Sequence, residues 1–132
     1  MDGETKVERM YFENMDAWKR SAALSCDIYK QFSSCKDFGF KDQVTRSGLS
    51  IPNNIAEGLE RDTNKASLRF MYFAKGSVAE LITQTYIGIK IGYIPNDIGQ
   101  SWIKECRFIA KLIGGIIRKK KIVNPYPITH NP

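Results

Sequence analysis

Between Lys65 and Tyr93 apolar residues recur in steps of three and four, long enough for one helix of about 45 Å at 1.5 Å per residue. A rod of that length favours an elongated helical bundle. One stripe comprises Leu68, Tyr72, Ala79, Ile82, Tyr86, Ile89 and Tyr93. A second comprises Phe70, Ala74, Ser77, Leu81, Gly88 and Ile91, with Met71 and Val78 adding to them. Together they cover about half the circumference, more than the roughly 100° a surface helix buries. Either this helix is central to its bundle, or its second stripe faces another subunit.

The rest of the chain has the same period. Met15, Trp18, Ala22, Ser25, Tyr29 and Phe32 line one side of a helix that Asn14 or Asp16 can cap. Ser33 to Gly39 reads as a connector. A second helix follows, with Phe40, Val44, Gly48, Ile51, Ile55 and Gly58 on its seam and Leu49, Ala56 and Leu59 beside it. Pro52 removes one hydrogen bond and presses on the carbonyl of Gly48, which predicts a kinked but continuous helix. The carbonyl freed near Gly48 then needs a polar side chain or a water. Asp62, Thr63 or Asn64 can cap the long helix, and Pro95, Asn96 and Asp97 end it and start a fourth. Ile98, Trp102, Cys106, Ile109, Ile113 and Ile116 give that last helix its core stripe. Nothing alternates as a strand would. The expected architecture is all-α: an antiparallel up-down-up-down four-helix bundle over residues 13–121. A flexible segment, 1–12, precedes it and a Pro-rich tail, 122–132, follows.

With 132 residues, 42% of them hydrophobic, the chain suffices for one core. Lys90, Lys104 and Lys111 interrupt its most apolar stretches, and the first fifteen residues contain no secretory apolar block, so a cytoplasmic protein without a membrane role is expected. Cys26, Cys35 and Cys106 match no zinc or CxxC spacing; Cys26 and Cys106 read as small core residues. The charge is uneven. Residues 1–62 carry nine Lys or Arg against eleven Asp or Glu, a net −2, whereas residues 63–132 carry eleven against three, a net +8. An acidic partner would meet the second half first.

The single histidine, His130, lies in the tail, which removes the ExxH pairs of carboxylate-bridged metal bundles and most general-base schemes. No metal or other cofactor is expected, and the chain does not read as an enzyme. Lys75 falls in the apolar arc of the long helix, so it must snorkel, pair with Glu57 or Glu80, or face an anion. Gly76, Gly114 and Gly115 match no phosphate loop and fit close helix packing. Cations interleaved with aromatic rings, the mark of single-strand stacking platforms, are not evident along the chain, so any nucleic-acid binding should be poorly sequence-specific.

Arg46, Ser50-Ile51-Pro52-Asn53-Asn54-Ile55-Ala56-Glu57-Gly58 and Arg61 form an RxxxSIPxNIAEGxxR pattern. Phe70 to Leu81 reads FMYFAKGSVAEL, and Gly92-Tyr93 precedes the last helix. These segments resemble those of the four-helix-bundle proteins of the 23S rRNA-intervening-sequence protein family, with weaker likeness extending over about residues 13–118. The resemblance implies a ring-like homo-oligomer, typically a homopentamer. Some members are encoded within large-subunit ribosomal RNA genes. A related branch is the accessory protein of diversity-generating retroelements, working with a reverse transcriptase and nucleic acid.

Two readings of the signature residues stay open. Arg46, Asn54, Glu57 and Glu80 form one polar network fixing helix register, or Arg46, Arg61, Lys65, Arg69 and Lys75 contact phosphate. Arg118, Lys119, Lys120 and Lys121 either complement the dipole of the last helix or join that phosphate-binding set. The expected function is a non-enzymatic, homo-oligomeric accessory protein binding RNA or DNA. The alternative is a protein-interaction scaffold with no nucleic-acid role.

Overall fold

The computed structural model describes residues 9–122, which form four helices and, among the described residues, no strand. A 3-10 turn, Tyr11–Asn14, leads into α1, Asp16–Gln31; then come α2, Phe38–Leu59, α3, Asn64–Lys90, and α4, Asn96–Ile122. The expected flexible segment falls mostly on residues 1–8, outside the described residues, as does the tail from 123 on. Residue 12 is already packed, with the Phe12 and Trp18 rings edge to face at 5.1 Å.

Local chemistry sets the helix ends. Asp37 Oδ1 accepts from the Phe40 N–H at 3.1 Å and caps α2, and Thr63 Oγ1 accepts from the Ala66 N–H at 3.1 Å and caps α3. The close of α3 is a Schellman turn: Gly92 adopts φ +83°, its N–H reaches the Ile89 carbonyl at 3.1 Å, and the Tyr93 N–H reaches that of Gly88 at 2.8 Å. Glycine carries that left-handed backbone without a Cβ clash. The turn folds Ile94, 2% exposed, back over Gly88. Helix α2 runs unbroken through Pro52. It is the Ser50 carbonyl, not that of Gly48, that receives a side-chain donor, Asn54 Nδ2 at 2.9 Å.

Each helix touches two others: α1 packs on α2 and α4, and α3 packs on α2 and α4. The shared core contains Ile28, Phe32, Val44, Ile51, Met71, Leu81, Ile109 and Ile113. On α2 and α4 the buried residues follow the sequence-derived seams closely. On α1 the anticipated stripe is met in part: Ser25 and Phe32 are buried, but the buried line otherwise runs through Ala17, Ser21, Leu24 and Ile28, while Trp18 and Ala22 are only partly covered and Tyr29 is exposed. Trp18 and Tyr29 draw the stripe one position aside, whereas compact aliphatic side chains fit between the helices. On α3 the buried line is Ser67, Met71, Ala74, Ser77, Val78, Leu81, Thr85 and Gly88: it takes in Ala74, Ser77, Leu81 and Gly88 of the second anticipated stripe together with Met71 and Val78, and leaves Tyr72, Ala79, Tyr86 and Tyr93 of the first exposed.

Glycine sets the closest approaches. A Cβ on Gly58 would lie 3.0 Å from the Ser67 carbonyl oxygen, and one on Gly48 would lie 3.0 Å from Ile28 Cδ1. Gly76 instead faces open space, and beside Gly114 and Gly115 lies only the Arg118 guanidinium, so helix packing within the chain does not account for these three.

Candidate nucleic-acid interface

The end of α2, the start of α3 and the end of α4 meet at one pole of the bundle. Asn64 Nδ2 donates to the Lys120 carbonyl at 3.1 Å, joining the first residue of α3 to the last turn of α4. Lys121 Nζ lies 5.7 Å from the centre of the Tyr72 ring. Arg61 pairs with Glu57 one turn before it and lies 4.6 Å over Phe70, and Arg69 lies 5.6 Å over Phe73. Lys65, Arg118 and Lys119 are exposed on the terminal turns that meet here. Seven of the nine sequence-derived cation candidates therefore share one pole: Arg61, Lys65, Arg69 and Arg118 to Lys121.

Arg46 and Lys75 do not join them. Arg46 precedes Arg61 by about 22 Å of helix and pairs with Asp42 at 2.9 Å. Lys75 is exposed, and among the described residues no carboxylate lies within 4 Å of it, so the expected pair with Glu57 or Glu80 is absent. The reason is its angular position: it sits beside the buried line through Ala74 and Val78, in water, where nothing requires a partner. The four-residue polar network is likewise not formed within the chain. Asn54 Nδ2 contacts Ser50 Oγ at 2.9 Å, and that hydroxyl meets Ser77 Oγ at 2.7 Å, pinning α2 to α3. Arg46 pairs within its own helix, Glu57 pairs with Arg61 just beyond the end of α2, and Glu80 is exposed.

A second basic surface, between α1 and α4, was missed in the sequence. Arg20 donates through Nε and Nη2 to both carboxylate oxygens of Glu105, at 2.8 Å each, and lies 4.2 Å over the Phe108 ring. That bond holds the Glu105 carboxyl below its ordinary range and raises Arg20 further. Lys104, Arg107 and Lys111 surround a groove of about 410 Å³ there. Arg107 Nη2 donates to the Tyr86 hydroxyl at 3.0 Å. The signal was available: Lys104, Arg107, Phe108 and Lys111 step by three and four along one helix face.

Two apolar surfaces also lie open. Trp18, Ala22, Tyr29, Leu49 and Pro52 line a groove of about 540 Å³ between α1 and α2. On α3 and at its C-terminal cap, Tyr72, Phe73, Tyr86, Ile87 and Ile91 remain 45–50% exposed. Cys26 is exposed on the rim of the α1–α2 groove rather than in the core. Cys106 is buried, and that burial pushes its thiol up to about 12, which keeps it protonated and poorly nucleophilic. Among the described residues no cluster of metal-ligating side chains occurs, and no helix is long and apolar enough to cross a membrane.

Fold and surface together define a class, the small four-helix-bundle proteins with exposed basic and apolar faces. Within it the chain belongs to the 23S rRNA-intervening sequence protein family, whose sequence model matches residues 13–115. Among solved structures it is similar to a protein of unknown function from the S23 ribosomal protein family of Bacteroides thetaiotaomicron. That likeness has a TM-score of 0.72 at 24% identity, covering 77% of this chain and 98% of the other. At that identity it speaks for the fold alone. A search of curated proteins gives no match.

Proposed function

We propose that the chain is a non-enzymatic, cytoplasmic accessory protein that assembles with copies of itself and binds RNA or DNA through its basic surfaces. The observation that carries this reading is the gathering of Arg61, Lys65, Arg69 and Arg118 to Lys121 at one pole, beside the exposed rings of Tyr72 and Phe73. Membership of a family named for a ribosomal RNA insert agrees with it. Arg and Lys at such a pole supply the sequence-independent part of nucleic-acid affinity through phosphate contact and counterion release.

An up-down-up-down course is supported by pairs whose numbers rise on one helix as they fall on its neighbour. Phe40 meets Tyr93 while Ser50 meets Ser77, and Tyr86 meets Arg107 while Tyr72 meets Lys121. A bend in α2 belongs to the same reading, since Pro52 leaves the Gly48 carbonyl without its usual helical donor. Self-assembly is supported by two unlike apolar surfaces, the α1–α2 groove and the α3 stripe. Two unlike patches that meet head to tail form a ring where the rotation between copies closes. A pentamer is the expected count for this family, and a ring would repeat the basic pole around its axis, letting weak contacts act together.

The experiment is a titration with labelled RNA over a range of salt concentrations. Binding that weakens as salt rises supports the reading; binding that is absent at low salt, or indifferent to salt, defeats it. The same exposed apolar surfaces favour a second reading, a scaffold docking another protein, such as a reverse transcriptase. Recovery of one stoichiometric partner after nuclease treatment, together with no RNA binding, would select it.

A further inference from the structure

We propose that the groove between α1 and α4 is a single-strand site, in which a base stacks on the Phe108–Arg20 platform while Lys104, Arg107 and Lys111 hold the flanking phosphates. This rests on the nucleic-acid reading above and gives it a second, chemically distinct location. The platform is built from both helices. Phe108 stays 42% exposed although Arg20 lies over its ring at 4.2 Å, and Arg20 is held there by its two bonds to Glu105. Glu105 neutralises Arg20, so the platform itself is an uncharged, flat surface of ring and guanidinium, the two side-chain types on which bases stack.

Around it the charge is uncompensated. Among the described residues no carboxylate lies within 4 Å of Lys104, Arg107 or Lys111. Among the described residues the one polar contact of Arg107 is the neutral Tyr86 hydroxyl, which brings a further exposed ring to the edge of the site. Lys104 and Lys111 stand two helical turns apart, about 10 Å, on either side of Phe108. Beyond Lys111 the glycine pair leaves a strip without side chains of its own, over which Arg118 folds back. The cations thus run down α4 from Lys104 to Lys121, about 25 Å, joining the groove to the basic pole.

A duplex would satisfy the cations but keeps its base faces stacked within itself, leaving the ring unused. The carboxylates of an acidic peptide would neutralise the charge but bring no ring to stack on the platform. A single strand uses both features.

The test compares fluorescence anisotropy of a short labelled oligouridylate and of an RNA duplex of equal length, with the full chain. Phe108→Leu should weaken oligouridylate binding about 5- to 100-fold and lower the ratio of single-strand to duplex affinity at least about fivefold. Phe108→Tyr should restore binding to within about twofold, which a merely misfolded Phe108→Leu variant would not explain. Lys104→Gln with Lys111→Gln should reduce the salt slope for oligouridylate by about 1.4. Lys119→Gln with Lys121→Gln reports on the basic pole separately. If that pole variant weakens binding while Phe108→Leu changes nothing, the groove proposal is overturned and the nucleic-acid reading stands. If the unaltered protein binds neither RNA, both fall. Stronger binding of polyglutamate than of oligouridylate at equal salt would overturn the groove proposal in favour of an acidic protein segment.

Discussion

Glu105 and Asp37 show how single side chains tie this bundle together and when they let go. Glu105 is held below its ordinary value near 4.5 by the Arg20 hydrogen bond. Asp37 is held below 3.8 by the Phe40 N–H and then by the Tyr93 hydroxyl, which donates at 2.8 Å. A carboxylate whose folded pKa is depressed contributes fully above its unfolded value, and that contribution is lost as pH falls through the folded one. Stability should therefore decline as pH drops below about 4.5, and Glu105→Gln should flatten the upper part of that decline in melts at successive pH values. The effect will be small and salt-sensitive, because the pair is partly exposed. Tyr93 has the opposite sign. Its phenol is raised above 10.0 by the same carboxylate, so its contribution is present below that value and lost as pH rises further. Gly58 is a packing case. Gly58→Ala would drive a methyl to 3.0 Å from the Ser67 backbone oxygen and 3.1 Å from Phe70 Cβ, and should destabilise by about 1–3 kcal/mol in urea unfolding. The pairings were not legible in advance: Gly58 reads from sequence as a small seam residue, but what it faces does not.

At the scale of the element, α3 leaves four large apolar side chains exposed, more than any other described helix. Its buried line is rich in small residues, Ser67, Ala74, Ser77, Thr85 and Gly88, which bring α2 and α4 close and leave the larger Tyr72, Phe73, Tyr86 and Ile87 outside. The excess width was readable from the three-four periodicity; which residues formed the excess was not, because both stripes looked equally apolar. If the outer stripe packs on another copy, Ile87→Glu should shift the assembly midpoint to at least tenfold higher concentration in sedimentation velocity, with helix content kept by circular dichroism. A helix-rich monomer already present for the unaltered protein at micromolar concentration would refute that packing. The N-terminus of α3 gives a simpler expectation. Thr63→Ala removes the acceptor for the Ala66 N–H and should cost about 1 kcal/mol in thermal or urea melts.

For the whole molecule, the net −2 of residues 1–62 and +8 of residues 63–132 become a spatial pattern, since α3 and α4 lie side by side and bring cations from two distant stretches to one pole. Replacing Arg118, Lys119 and Lys121 by Gln together should lower RNA affinity and reduce its salt slope by about 2, read by anisotropy across a salt series. An unchanged slope would place the phosphate contacts elsewhere. The sequence by itself determined four helices, their approximate bounds, the α2 and α4 seams and the family, because periodicity and a dense local motif are properties of neighbouring residues. Only the tertiary structure decided which of the two α3 stripes faces the core, which residues of α1 join it, the separation of Arg46 and Lys75 from the other candidates, and the meeting of Arg20 with Glu105 and Phe108. Residues 20 and 105 are far apart along the chain, and which faces meet depends on the fit of all four helices at once, a quantity no single helix encodes.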